Sequence, residues 1–525
     1  MKNDYVLAMY DIRGKQEYIF RNNKIREIIG ASKIIEDCFR CNLYPAARKY
    51  RNLTSGNPED ETDAIYSYHG TEQFDRKKFK QRMEQGNYLG EVIYDGGGNF
   101  FILYKNMIVF QEINKIFTRS ILEKYDTLKV LPVCREGIDF DNYPEDQKLL
   151  YKNHRKLEAH ETPSIPAQVL PFTQIDYSTS MPLFEYAWEG EKLEKVSKEA
   201  YQKCMKFKKL KKDGRADEMQ EYILDNLVTE KGNESLLAII YIDGNGMGAK
   251  VQECLKDSTS YEDCIKKLRE LSESIQKNYI DDRKKDIEQM LANKYKNDPL
   301  RQKRRIILGA GDEINMICNA RDAYDIAITY LKGLPEGFSA CAGICIFHSH
   351  APYSDAYRIA EECCESGKKK IKQLMQEKHL VINSDSDFID FHYCQNGIGT
   401  DLEAIRNHES GEIISKPWMV SDKEQDGLVT TAMVKRLECE LGKMARSNVK
   451  GLAEAAKYSQ SRFQTEIKRI QAHSEKEIFM DAGQFQGEKI LRSLVYDMVI
   501  MYDLWFSSYT QEEIGNEEKN SPDKY

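Results

Sequence analysis

The chain has 525 residues, with 77 basic and 85 acidic side chains and a formal net charge of −8. Hydrophobic residues make up 41% of it, which is typical of a chain with several folded cores and excludes a disordered or collagen-like protein. The acidic balance excludes a strongly basic nucleic-acid coat. The N-terminus is too polar for a signal peptide and no apolar run is long enough for a membrane span, so we expect a cytoplasmic protein with no membrane partner.

A first α/β region is predicted over residues 1–150. A short apolar strand over 5–10 ends at Asp11, and a helical stretch follows it. Two β-rich runs around a glycine-rich turn predict a hairpin over 90–104, and the next pattern is helical over 109–124. We expect Asp11 to cap the helix that follows the first strand.

Residues 151–234 break this pattern. They contain a proline-containing stretch with poor periodicity (PSIPAQVLPF) and a charged helical stretch (KFKKLKKDGR). We predict a helical and irregular connector, in which the basic stretch forms a solvated helix face.

The first pattern returns in residues 235–400. A buried strand over 236–242 ends at Asp243, and a second hairpin over 305–318 has Asp312 and Glu313 near its tip. Helix, strand and helix follow. The chain therefore contains two copies of one α/β plan, and such plans favour sheets with helices on one face.

The last part of the chain is predicted to be helical. Over residues 401–510 we expect an α-helical domain, because apolar residues after position 428 recur with a period of 3.6. Its inner face is predicted to carry Met433, Val434, Leu437, Leu441 and Met444. Residues 511–525 are polar and are predicted to form a flexible tail.

The second repeat carries the residues suited to chemistry. Strand and hairpin would bring Asp243, Asp312 and Glu313 to one edge of a sheet, where carboxylate oxygens suit Mg²⁺ or Mn²⁺ and two metals can act on a phosphate. The turn after Asp243 reads GNGMG, and its glycines would let a triphosphate approach the backbone beside a helix N-terminus. A tight turn and a solvated hairpin tip are the structural alternatives.

These motifs resemble the Palm domain shared by GGDEF nucleotide cyclases and the large signalling subunit of type III CRISPR complexes, the Cas-ten family. The resemblance lies in the turn Asp243–Gly248, in the hairpin Ala310–Ile314, and in the later stretch SACAGICIFHSHAPYSDAYRIAEECCESGK. It implies that the phosphate-binding lysine of the family is Lys368, with Lys369 and Lys370 as alternatives. The nucleotide-binding residues would then be Gly244, Asn245, Gly246, Met247, Gly248, Gly311 and Lys368.

The first repeat resembles the first Palm domain of the same subunit. DIRGKQEYIF and REIIGASKII look like the family's opening, and YDGGGNFFIL occupies the hairpin position. Gly98 and Asn99 stand there in place of acids, so we expect a degenerate, structural Palm domain. The expected fold is α+β, with two ferredoxin-like Palm domains and a C-terminal helical domain.

The sequence also departs from the family pattern. No His-Asp pair precedes the first repeat, which implies a variant without the HD nuclease domain. Such a variant could work as a stand-alone protein or with partner subunits, and both alternatives stay open. The zinc module between the Palm domains has no cysteines here. In the hairpin, Ala310 replaces a glycine and Glu313 an aspartate, which is closer to GGDEF. In the turn after the strand, Asn245 replaces an aspartate; it can still ligate a metal through its carbonyl but adds no charge, so we expect a lower metal affinity.

The resemblance implies an enzyme that joins ATP into a cyclic or linear oligonucleotide messenger for antiviral defence. Mg²⁺ or Mn²⁺ would be its cofactor and ATP its substrate. Partners would be nucleoside triphosphates, together with guide RNA and CRISPR-type subunits or a messenger-activated effector. Two alternatives stay open: a non-catalytic nucleotide binder or scaffold of an RNA-guided complex, and a diguanylate cyclase.

Overall fold

The computed structural model describes the chain over ranges separated by short gaps. These are residues 4–70, 72–96, 99–160, 171–189, 192–212, 224–230, 234–377, 386–395, 397, 399, 401–411, 413–474, 478, 480 and 482–507. The predicted tail over 511–525, Gly98 and most of the proline-containing stretch lie outside them.

The chain divides into two compact units, and neither unit is one continuous stretch of sequence. Unit 1 contains Met1–Ala216, Gly246–Lys277 and Ala310–Asp312. Unit 2 contains Asp217–Asn245, Asn278–Gly309 and Glu313–Tyr525.

The first repeat of the sequence forms a five-stranded sheet in unit 1. Its strands are β1 (Val6–Arg13), β2 (Ile65–Tyr66), β3 (Gly90–Gly96), β4 (Asn99–Tyr104) and β5 (Lys129–Glu136). The strand order is β2-β3-β4-β1-β5, with β1 antiparallel to both β4 and β5. The predicted first strand and the predicted hairpin are confirmed.

Helices surround this sheet. They are α1 (Lys15–Ile19), α2 (Ile25–Glu36), α3 (Tyr44–Ser55), α4 (Arg76–Gln85), α5 (Met107–Lys124) and α6 (Tyr143–Ala159), with a π-helical turn over Phe39–Leu43. In α5 the buried residues recur every three or four positions, as an amphipathic helix on a sheet requires.

The predicted connector contains strands that were not predicted from the sequence. A three-stranded sheet of β6 (Ile175–Asp176), β7 (Met181–Glu189) and β8 (Lys192–Ser197) precedes α7 (Lys198–Lys212). Phe184, Tyr186 and Trp188 alternate along β7 and remain about half exposed. This alternation is the strand signal, and it is inconspicuous because the apolar residues do not enter a core.

Two helices of the second repeat belong to unit 1. They are α8 (Met247–Leu255) and α9 (Tyr261–Ile275), whose apolar residues join the same buried cluster as Leu7, Met9 and Phe101. Arg269 of α9 donates to the carbonyls of Val92 and Ile93, at 3.1 and 2.9 Å, where β3 has a bulge. These bonds satisfy carbonyl groups that the bulge removes from the regular ladder.

Unit 2 is built on a six-stranded sheet. Its strands are β9 (Leu236–Gly244), β10 (Arg305–Ala310), β11 (Glu313–Asn319), β12 (Ala340–His348), β13 (Phe388–Tyr393) and β14 (Trp418–Met419), in the order β10-β11-β9-β12-β13-β14. The central β9 is buried along its length except at Asp243, because it has neighbours on both sides. The second predicted strand–hairpin–helix–strand–helix series is confirmed.

The remaining helices belong to unit 2. They are α10 (Asp282–Lys294), α11 (Ala323–Lys332), α12 (Tyr353–Glu377), α13 (Leu402–Glu409), α14 (Thr431–Leu441), α15 (Arg446–Tyr458), α16 (Gln460–His473) and α17 (Glu488–Ile500). Short turns of π or 3₁₀ helix cover Leu224–Asn226, Gln276–Asp281, Ala482–Phe485 and Tyr502–Phe506. The predicted C-terminal helices are confirmed, and Met433, Val434, Leu437 and Leu441 are buried on α14 as predicted. Met444 lies beyond the end of α14 and is half-buried, so that part of the prediction is wrong. No helix in the described ranges combines the length and apolarity needed to cross a membrane.

Candidate functional site

Two carboxylates face each other at the end of the central strand of unit 2. Asp243 lies opposite Glu313 of β11 in the antiparallel register, and its other neighbour, on β12, is Cys341. Residues directly opposite in a sheet point to the same face with Cβ atoms about 5 Å apart, so like charges there repel. This pair therefore favours a nearby cation.

Helix α12 covers this face of the sheet at very close range. Gly343 of β12 has no side chain, and a Cβ there would lie 1.9 Å from the Ala360 carbonyl oxygen of α12. The contact continues along the helix, where Tyr357 meets Tyr241 edge to face at 5.6 Å and Cys364 donates to the Cys341 carbonyl at 3.0 Å. The sequence reading missed this close approach, although a glycine inside an apolar strand is its usual signal.

The same helix places Lys368 on Asp243. Tyr353, Tyr357, Cys364 and Lys368 follow at spacings of four or seven, so they form one stripe on α12. The Lys368 ammonium donates to the Asp243 carboxylate and, at 3.2 Å, to the Gly244 carbonyl. Both side chains remain partly exposed, at 20% and 29%. The pair is therefore accessible to a ligand.

The electrostatics of this edge follow from these contacts. Burial alone would lower the pKa of Lys368, but the Asp243 carboxylate outweighs it and the pKa of Lys368 is raised. Burial raises the pKa of Tyr241, and the Glu313 and Asp243 carboxylates raise it further. The lysine is thus a stable cation beside two acids.

The turn after Asp243 has a structural and an open part. Asn245 is buried, and its side-chain amide donates to the Ser339 hydroxyl at 3.2 Å and the Ser386 carbonyl at 3.1 Å. These bonds engage both amide hydrogens inside unit 2. Gly246 has a φ of 68° and is the N-cap of α8, which Met247 opens, and a Cβ at Gly248 would meet open space. The backbone of Gly246–Gly248 is therefore the part of the turn suited to a phosphate.

The tip of the second hairpin is a two-residue turn. Gly311 has a φ of 65°, which favours glycine, and half-buried Asp312 leads into Glu313 at the start of β11. Nowhere in the described residues does a group of three or more His, Cys, Asp or Glu side chains have an arrangement that could hold a metal ion. The donors at this edge, two carboxylates across a strand pair and the Gly244 carbonyl, are all oxygen and fit a hard cation such as Mg²⁺.

The first sheet pairs its strands in the same register at the corresponding position, but the side chains there differ. Asp11 lies opposite Asn99, at the place where Asp243 lies opposite Glu313. The prediction that Asp11 caps a helix is wrong, because Gly14 is the N-cap of α1 and no side chain caps it. Asp11 instead accepts from His154 at 3.1 Å and from Arg13 at 3.2 Å.

The three consecutive lysines of α12 separate in the structure. Lys368 faces Asp243, whereas Lys369 and Lys370 line a cavity elsewhere in unit 2. The alternatives to Lys368 therefore do not reach Asp243.

Comparison with known proteins gives a fold and no close relative. No family model and no curated protein matches the chain. The crystal structure of Csm1 in T. onnurineus is 9% identical and matches with a TM-score of 0.50, over 95% of this chain and 69% of that one. Csm1–Csm4 cassettes in complex with cA4 and with pppApApA, each 10% identical, match with TM-scores of 0.49 over 95% of this chain and 70% and 69% of theirs.

The structure is thus an α+β protein of the kind found in type III CRISPR large subunits. Within that class its fold is that of Csm1. The fold implied by the sequence resemblance is confirmed.

Proposed function

We propose that this protein is a nucleotidyltransferase that joins ATP into a cyclic or linear oligonucleotide messenger in CRISPR-type antiviral defence. One observation carries the proposal: the Lys368 ammonium contacts the carboxylate of Asp243, and this carboxylate lies opposite Glu313 in the sheet. A cation and two acids at one strand end are suited to a triphosphate and its counter-ion. The domains we propose are those given by the sequence, with the catalytic Palm over residues 235–400.

In this proposal the chain's own groups bind and orient the triphosphate. The backbone N–H groups at the start of α8 donate to the phosphate oxygens, as helix N-termini do. Lys368 donates to a phosphate oxygen in place of the Gly244 carbonyl. Asp243, Asp312 and Glu313 do not form a ready-made metal site, so they would have to converge on Mg²⁺ or Mn²⁺ when the ion binds. The bound ion would supply neutralisation of phosphate charge.

The reaction is an in-line displacement at the α-phosphorus. A 3′ or 2′ hydroxyl oxygen of a second nucleotide forms the new P–O bond, the bond between α-phosphorus and bridging oxygen breaks, and pyrophosphate leaves. The hydroxyl proton passes to solvent. The protein contributes position and charge, which are the main requirements of phosphoryl transfer.

A non-catalytic nucleotide binder is the second candidate. The observation in its favour is that Asp243 already has a cation, Lys368, where an active centre needs a carboxylate for metal. In this case ATP binds but no pyrophosphate is released. A diguanylate cyclase would instead release pyrophosphate from GTP alone.

The test has a binding arm and a product arm. We expect Lys368→Ala to weaken ATP binding about tenfold or more, since it removes one charge-assisted contact. Lys372→Ala, one turn further along α12 and 70% exposed, is the matched control and should bind ATP normally. Equal ATP affinity in both variants would contradict the site in either candidate function.

The product arm uses each labelled triphosphate with Mg²⁺ or Mn²⁺, in the protein alone and with guide RNA and CRISPR-type subunits. Asp312→Ala should abolish oligonucleotide product and pyrophosphate release. Asp11→Asn, at the corresponding position of the first sheet, should retain most activity. ATP binding without product from the wild-type protein in every mixture would identify the non-catalytic binder, and activity with GTP alone would identify the cyclase.

A further inference from the structure

A second basic site lies in unit 2, away from Asp243. A cavity of about 500 Å³ is bounded by α12, by the segment that leads into β14, and by the first turns of α17. Among the described residues, four lysines line it, Lys369, Lys370, Lys416 and Lys489, and no Asp or Glu does. Its volume is in the range of small-molecule sites.

Three of these lysines have no counter-ion. Lys416 donates to the Phe391 carbonyl at 2.9 Å and lies 3.5 Å from the Asp497 carboxylate, so its charge is offset. Lys369, Lys370 and Lys489 form no salt bridge within the described part of the chain. Uncompensated like charges around one cavity repel each other, and an anion in the cavity would remove that cost.

The position of Lys489 points the same way. It is the second residue of α17, whose N-terminus carries the positive end of the helix dipole. A cation there is unfavourable for the helix, and the acid of the same turn, exposed Glu488, does not line the cavity. A lysine at this position therefore does not stabilise the helix, whereas it would stabilise an anion bound between α12 and α17.

The rest of the wall has apolar side chains and also the polar side chains of Ser366, Gln373, Ser415 and Ser493. Leu428, Val429 and Ile490 line the cavity beside the lysines. Such a wall suits the uncharged part of a phosphorylated small molecule. An extended nucleic-acid strand favours an open basic groove with aromatic platforms, and none of the described residues that line this cavity is aromatic.

We propose that this cavity binds a phosphate-bearing small molecule of nucleotide size, with its phosphates at Lys369, Lys370 and Lys489. The site is separate from Lys368, which lies on the stripe of α12 that covers the sheet. The proposal does not depend on catalysis at Asp243.

The experiment measures binding to the full-length Lys368→Ala protein, in which ATP binding at the first site is weakened. The probes are ATP, inorganic tripolyphosphate, orthophosphate and adenosine. Their binding is measured by equilibrium dialysis at two salt concentrations. We expect ATP and tripolyphosphate to bind, adenosine not to bind, and the affinity to fall with salt. Lys369→Gln and Lys489→Gln should each weaken binding about tenfold or more.

Lys372→Gln is the matched control on the same helix and should leave the affinity unchanged. Lys369 and Lys489 are exposed, so their glutamine variants should fold normally, and thermal midpoints check this. Tighter binding of ATP than of tripolyphosphate identifies a nucleotide as the ligand, and equal affinity identifies the phosphates alone. The proposal is overturned if neither probe binds, if both glutamine variants bind as before, or if only a single-stranded oligonucleotide binds.

Discussion

Adding one methyl group at Gly343 should separate α12 from the sheet of unit 2. A Cβ at this position would lie 1.9 Å from the Ala360 carbonyl oxygen and 2.4 Å from the Cys364 backbone nitrogen. Both atoms belong to the backbone and cannot turn away. Since ordinary contact begins near 3.4 Å, α12 must retreat by about 1.5 Å.

The cost follows from what the helix gives up. Overfilling a close contact costs about 1 to 3 kcal/mol, and the retreat would also lengthen the 3.2 Å bond from Lys368 to the Gly244 carbonyl beyond hydrogen-bond range. We therefore expect Gly343→Ala to lower the free energy of unfolding by about 3 kcal/mol or more. Urea unfolding followed by circular dichroism measures it.

Gly451→Ala is the control for the chemical change itself. Gly451 lies inside α15, and its added Cβ would meet only the end of the Glu466 side chain, at 3.4 Å. Alanine is the better helix former, so this variant should be equally stable or more stable by up to about 1 kcal/mol. If Gly343→Ala unfolds at the same urea concentration as Gly451→Ala, the close approach of α12 to β12 is refuted.

Three further predictions concern buried polar groups and thiols. Arg406 makes a two-pronged ion pair with fully buried Asp390 and, against the effect of burial, keeps the pKa of that carboxyl low. Arg406→Met should therefore lower the free energy of unfolding in urea by about 3 to 5 kcal/mol. A loss below about 1 kcal/mol would contradict the pairing. Burial, with Lys416 and Arg406 nearby, lowers the pKa of His392 to about 3, so the folded state does not take up the proton that the unfolded chain binds below pH 6.5. Stability should fall by about 2 kcal/mol between pH 6.5 and 4.5, and His392→Gln should lack that part of the slope; parallel curves would refute it. Of the 13 thiols only Cys41 and Cys439 are exposed. A thiol-reactive dye should therefore show two fast reactions in the native protein, and Cys41→Ser and Cys439→Ser should each remove one of them. Fast reaction of any other thiol would contradict the burial.

The sequence predicted the strands that carry the site because those strands are continuous apolar runs. The run before Asp243 and the hairpin before Glu313 have to be buried strands, and their antiparallel register is the one that places the two acids opposite each other. The position of Lys368 on this face of α12 could also be predicted from the sequence. It lies four residues after Cys364 on the stripe that begins at Tyr353, and its two neighbours lie on other faces.

Other features depend on tertiary contacts that no local pattern encodes. The residues of α9 read as an ordinary amphipathic helix, and nothing in them shows that Arg269 binds carbonyls some 176 positions earlier in the chain. The role of Asp11 was mistaken for the same reason, because its partner His154 is 143 residues away. Local capping rules could not foresee that partner.

The segmented composition of the two units has a consequence for synthesis on the ribosome. Unit 1 includes Gly246–Lys277, so its buried cluster, which contains Leu255, Tyr261 and Leu268, is complete only when just over half of the chain has been made. By then β9 has emerged and must wait for β11 and β12. A nascent chain that ends between β9 and α9 therefore exposes unfinished parts of both units, and a chaperone is most needed during that interval.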